Sequence, residues 1–186
     1  MPARTHHLSV SQQDIDKVEK HIENYWPKLI RHYPKDLRSL IGLPNPYIVP
    51  TDVGVFEEQY YWDSYPVVRA LINHPKYSKL ALGMVDNLLF LIRRFGIVPN
   101  ASRFYFLSRS QPPLLASMVW AVYSKTRDKT WFKKAMSDVE HEYKDVWMGK
   151  VHLNNFRHVY RGLSRYYDLN AIDLLAETES GWDLTA

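Results

Sequence analysis

Apolar side chains return at helical spacing in five separate stretches of this chain, and nowhere do Val, Ile and Thr alternate long enough to define a sheet. The spacing predicts an all-α protein. The first stretch, Gln12 to His32, places Ile15, Val18, Ile22, Trp26, Leu29 and Ile30 on one face, with Ser11 as N-cap, Asp14 in the first turn and Pro34 beyond the end. Pro44, Pro46 and Pro50 then make Leu43 to Gly54 an extended connection. A short helix follows from Asp63 to Asn73, capped by Asp63 or Ser64, and a longer one from Lys76 to Phe95, closed by Gly96. The last two begin near Gln111 to Pro113 and at Asp128, and end near Lys125 and Trp147.

Composition narrows the function. With 186 residues, 46% of them hydrophobic, the chain can bury a core, and zero Cys excludes disulfides, thiolate metal sites and Cys nucleophiles. No stretch reaches the length of a membrane span, and residues 1–10 read as a mobile arm without the apolar core of a secretory signal, which by default places the chain in the cytoplasm. The net charge of +4 is spread thinly, so neither nucleic acid nor membrane is an expected partner. Phosphate loops, dinucleotide fingerprints and a Gly-x-Ser-x-Gly elbow are all missing from the sequence, and no cofactor is implied. His141-Glu142-Tyr143-Lys144-Asp145 misses the helical zinc-protease motif by its second His, and reads as a solvated helix face.

Carboxylates set among aromatic rings remain, in two segments: Phe56-Glu57-Glu58-Gln59-Tyr60-Tyr61-Trp62-Asp63-Ser64-Tyr65, and Glu177 to Asp183. Glycosidic bonds are cleaved by paired carboxyl groups beside rings and polar groups that hold the sugar. The first segment resembles the signature Pro-Gly-Gly-Arg-Phe-x-Glu-x-Tyr-x-Trp-Asp-x-Tyr of the trehalase family of glycoside hydrolases, which Asp52 to Tyr65 matches at Gly54, Phe56, Glu58, Tyr60, Trp62, Asp63 and Tyr65. Gly83-Met84-Val85-Asp86-Asn87, Pro99-Asn100, Ser108 to Pro113 and Glu179-Ser180-Gly181-Trp182-Asp183 resemble the family's later blocks in order.

The resemblance implies part of an (α/α)6 toroid of helical hairpins, with residues 11–186 as the N-terminal portion of the catalytic domain. It implies an inverting α-glycosidase that hydrolyses the disaccharide trehalose to glucose without metal or organic cofactor. Trp62, Asp63, Asn100, Arg109, Ser110, Gln111 and Gly181 match substrate-contacting positions, and Asp183 matches the general acid, its carboxyl expected to be kept protonated by burial against Trp182 and nearby carboxylates. Val53 and Val55 replace a Gly and an Arg of the signature, and the lost guanidinium weakens the case for trehalose against another α-linked disaccharide or glycoside. The family's Arg-Pro-Glu block has no clear counterpart, with Arg165, Glu177 or Glu179 able to fill part of its role. The family's general base lies beyond Ala186, so the chain alone is expected to be inactive, its missing partner being the C-terminal part of the same domain, unless Glu57, Glu58 or Glu177 substitutes. A sugar- or partner-binding paralogue without activity is the non-enzyme alternative. Five helices fall short of the toroid, so apolar faces should be left uncovered.

Overall fold

The structure, a computed structural model, describes residues 10–54, 56–148, 158–160 and 163–164. Five α-helices dominate it: α1 (Gln12–Leu29), α2 (Tyr61–Leu71), α3 (Ser78–Phe95), α4 (Leu115–Thr126) and α5 (Lys129–His141). The all-α expectation holds. Short antiparallel pairs accompany the helices, β1 (Ile30–Arg31) with β2 (Tyr47–Ile48), and β3 (His158–Tyr160) with β4 (Leu163–Ser164). Among the described residues no helix is long and apolar enough to cross a membrane.

α2 and α4 begin beside each other, where the Leu115 amide meets the Tyr61 hydroxyl, and pack side by side, while α3 packs on both of them and α5 on α3 and α4. The core lies between these helices, where Val68 and Leu71 of α2 meet Met84, Val85, Leu88 and Leu89 of α3 and Met118, Val119 and Val122 of α4. Gly96 ends α3 at a φ of 77°, the left-handed geometry that glycine adopts without a Cβ penalty. Arg127 does the same after α4, and Asp128 then caps α5 by accepting the Trp131 amide proton.

Ser11 caps α1 as the sequence indicates, its hydroxyl accepting from the Asp14 amide. The helix nevertheless stops at Leu29, because Ile30 and Arg31 pair with Ile48 and Tyr47, which puts a short strand inside the Pro-rich connection. Only Tyr25, Trp26 and Leu29 of α1 join the core, while Ile15, Val18 and Ile22 stay 40–58% exposed. Apolar side chains along α1 are therefore left uncovered, as the sequence leads one to expect.

Two helix starts differ from the sequence reading. α2 begins at Tyr61, so Asp63 sits in its first turn, and Ser64 donates its hydroxyl proton to the Tyr60 carbonyl rather than capping. α4 begins at Leu115, since residues before a proline are biased out of the helical region and Gln111 precedes Pro112 and Pro113. A buried polar relay also ties the connection to α3. Asn87 donates to Gln59 Oε1 and to the Asn45 carbonyl and accepts from the Asn45 amide, while Gly83 admits Asn45 so closely that an added Cβ would lie 2.9 Å from the Asn45 Cβ.

Candidate active site

The first N–H groups of a helix need acceptors from outside it. At α2 they come from distant chain: the Asn100 carbonyl accepts from the Tyr61 amide at 2.9 Å, and Gln111 Oε1 accepts from the Trp62 amide at 3.0 Å. The segment that supplies them is held in turn, because the Asn100 amide donates to the Arg109 carbonyl and Ser102 exchanges hydrogen bonds with Gln59. These bonds gather Trp62, Asp63, Asn100, Arg109, Ser110 and Gln111 around the N-terminus of α2. All six described residues that the sequence assigns to substrate are brought together.

Asn100, Arg109, Ser110 and Gln111 are buried, and Trp62 and Asp63 are partly buried. Asp63 Oδ2 and both side-chain amide atoms of Asn100 are buried without a hydrogen-bond partner among the described residues. Such atoms cost stability unless a ligand or solvent meets them. Burial raises the Asp63 carboxyl above its usual range, against hydrogen bonds from its own amide and from Trp62 that pull it down. Asp63 also borders a cavity of about 220 Å³ walled by Trp26, Tyr60 and Pro66. The Arg109 guanidinium lies 4.7 Å from the centre of the Phe106 ring, a cation–π contact. Donors, acceptors and a carboxylate fixed beside an indole can read hydroxyl positions on a sugar ring.

Glu57 and Glu58, weighed above as substitutes for a water-activating base, have other partners. Glu57 pairs with Arg31 at 2.7 Å and accepts from the Tyr33 hydroxyl. Glu58, 2% exposed, accepts two bonds from Arg103 and one from the Tyr60 hydroxyl. Gly181, Trp182, Asp183, Arg165, Glu177 and Glu179 lie outside the described residues. Among the described residues no group of three or more His, Asp or Glu is arranged to hold a metal ion.

Glu142 is a correction. It is 3% exposed rather than solvated, and its Oε1 accepts the Tyr61 hydroxyl proton at 2.6 Å. The signal was present in the sequence: Ala135, Val139, Glu142 and Val146 recur at helical intervals, so Glu142 occupies a core stripe. Tyr61, which no motif assigns to substrate, accepts from the Leu115 amide and so caps α4.

A family model described as Trehalase matches residues 2–181. The chain is similar to a trehalase from Bombyx mori, at 32% identity over 95% of this chain and 36% of that one, and to a trehalase from Arabidopsis thaliana, at 33% over 86% and 26%. It is also similar to a periplasmic trehalase from Xanthomonas axonopodis, at 33% over 91% and 35%. Neutral trehalase from Saccharomyces cerevisiae, a solved structure, superposes with a TM-score of 0.59 at 38% identity, covering 73% of this chain and 24% of that one. The chain thus spans between about a quarter and about a third of the length of these relatives. The packed helices are part of the all-α toroid expected from the sequence.

Proposed function

The chain belongs to the trehalase family, and from that premise we propose that it supplies the substrate-binding part of an active site that hydrolyses trehalose to glucose with inversion at the anomeric carbon. The observation that carries this reading is the convergence of Trp62, Asp63, Asn100, Arg109, Ser110 and Gln111 on one helix end, with buried polar atoms of Asp63 and Asn100 left to a ligand.

Each residue then has a physical task. Trp62 packs on a pyranose face, where C–H groups meet the ring. Asp63 accepts from sugar hydroxyls, Arg109 donates, and Asn100 and Gln111 offer fixed amide groups. Asp183 is the general acid that protonates the departing glycosidic oxygen, by resemblance of its segment to the family's. The water-activating carboxylate comes from outside these 186 residues, which agrees with the engagement of Glu57 and Glu58 by Arg31 and Arg103. Val55 in place of the signature's arginine favours a second reading, in which the complete enzyme acts on another α-linked disaccharide. A Xanthomonas relative bears the name periplasmic trehalase, which stands beside the cytoplasmic expectation as a second compartment for this family.

Calorimetric titration of the 186-residue chain with trehalose and a panel of α-linked disaccharides, run beside a glucose-release assay, tests this. Trehalose should bind without release of glucose. Glucose release by the chain alone would refute an external base, and binding confined to a different disaccharide would move the substrate to the second reading.

A further inference from the structure

Two neighbouring helices satisfy their first N–H groups with one another's residues. Gln111, four residues before α4, caps α2 through the Trp62 amide, and Tyr61, the first residue of α2, caps α4 by accepting from the Leu115 amide at 3.1 Å. A tyrosine hydroxyl has one proton, and here it goes to Glu142 Oε1, which leaves the oxygen's lone pairs turned to Leu115. Tyr61 is fully buried, and burial, followed by the Glu142 charge and hydrogen bond, raises its hydroxyl well above the ordinary range, so the donor keeps its proton.

Glu142 opens a wide turn (Glu142–Trp147) that continues α5 and is closed by the Met148 amide bonding back to the Tyr143 carbonyl. Wide turns of this kind inside helices often occur at functional sites. The residue stands on the same stripe as Ala135 and Val139, where an apolar side chain would serve packing alone, and a carboxylate there costs stability unless its bonds compensate.

We propose that Glu142 is a positioning residue for the sugar site: through Tyr61 it locks the first turns of α2 and α4 to each other, and so holds Trp62 and Asp63 opposite Gln111. Its functional consequence rests on the sugar-site reading, whereas the locking itself does not.

Amide hydrogen exchange on the full 186-residue chain separates the two. Glu142→Leu removes the acceptor, and Glu142→Gln keeps an oxygen that can take the Tyr61 proton. With Leu, exchange at the Trp62 and Leu115 amides should rise about tenfold while Leu88 in α3 keeps its protection; with Gln it should stay within about twofold of wild type. Tyr61→Phe, a smaller change that serves if Glu142→Leu does not fold, should repeat the Leu pattern. Unchanged exchange at Trp62, an equal rise at Leu88, or a Gln variant as loosened as the Leu variant would each overturn the proposal. The same proteins titrated with trehalose should show at least about a fivefold loss of affinity for Leu and near wild-type affinity for Gln. A wild-type chain that binds no trehalose sinks the sugar-site reading, while the exchange comparison still decides whether Glu142 locks the helices; equal affinities across all variants of a binding chain count against Glu142.

Discussion

Replacing Arg103 by methionine should show what the signature glutamate, Glu58, does. Glu58 is 2% exposed, and its Oε2 takes two Arg103 bonds of 3.0 and 2.8 Å as well as the Glu57 amide, while Oε1 takes the Tyr60 hydroxyl. Removing the guanidinium leaves a buried carboxylate with only neutral donors, a change that costs about 3–5 kcal/mol when one partner of a buried pair is deleted. The lower end applies, because the Arg103 side chain is itself 19% exposed and some of its hydration is already retained. Against a typical stability of about 5–15 kcal/mol this is a large fraction of the total. Urea unfolding of Arg103→Met should therefore show a midpoint shift worth about 3 kcal/mol at unchanged slope. The double variant Glu58→Gln with Arg103→Met should recover more than about half of it, since no uncompensated charge remains. A loss under about 1 kcal/mol, or a double variant no better than the single one, would refute a structural clamp and reopen Glu58 as a functional carboxylate.

Asp63→Asn should raise the urea midpoint at pH 7. The folded Asp63 carboxyl lies above its unfolded value, so the native state holds the extra proton in the window between them, stability falls as pH rises through that window, and the charge penalty is complete above it. The gain should vanish in acid, and a variant less stable than wild type at both pH values would contradict the burial argument. Gly83→Ala pushes a Cβ to 2.9 Å from the Asn45 Cβ and should cost about 1–3 kcal/mol, read by thermal unfolding, with a neutral outcome showing that the connection can yield. Gln111→Ala removes the acceptor of the Trp62 amide and should cost about 2 kcal/mol in urea unfolding; identical unfolding curves for wild type and Gln111→Ala would remove the cap.

Much of this was legible in the sequence, and the exceptions share a cause. The periodicity placed α3 closely because its face, from Ala81 to Ile92, and its terminal Gly96 are local signals. The starts of α2 and α4 were misread because their caps arrive from Gln111, 49 positions away from Trp62, and from Tyr61, 54 away from Leu115. No local cap code reports such partners. Asp63 and Ser64 look like caps for the same reason, although one sits in the first turn beside the cavity walled by Trp26, Tyr60 and Pro66 and the other bonds back to Tyr60. The pairing of Ile30–Arg31 with Tyr47–Ile48 is too short for a pattern of alternation to reveal. The site residues are recognisable as blocks by resemblance, but what unites Trp62, Asn100, Arg109 and Gln111 is the bonding of the first α2 amides to the Asn100 carbonyl and the Gln111 side chain, and of the Asn100 amide to the Arg109 carbonyl, which becomes visible only in three dimensions. The failed zinc motif hides Glu142, although its register on the stripe of Ala135 and Val139 argues for burial.

Chemical-shift mapping of the labelled chain during titration with trehalose addresses the central claim most directly. The Trp62 indole N–H, the Asn100 side-chain amide and the Gln111 side-chain amide should move together and saturate at one affinity. Saturable shifts confined to the exposed face of Ile15, Val18 and Ile22, with those three signals unmoved, would contradict a sugar site at the start of α2.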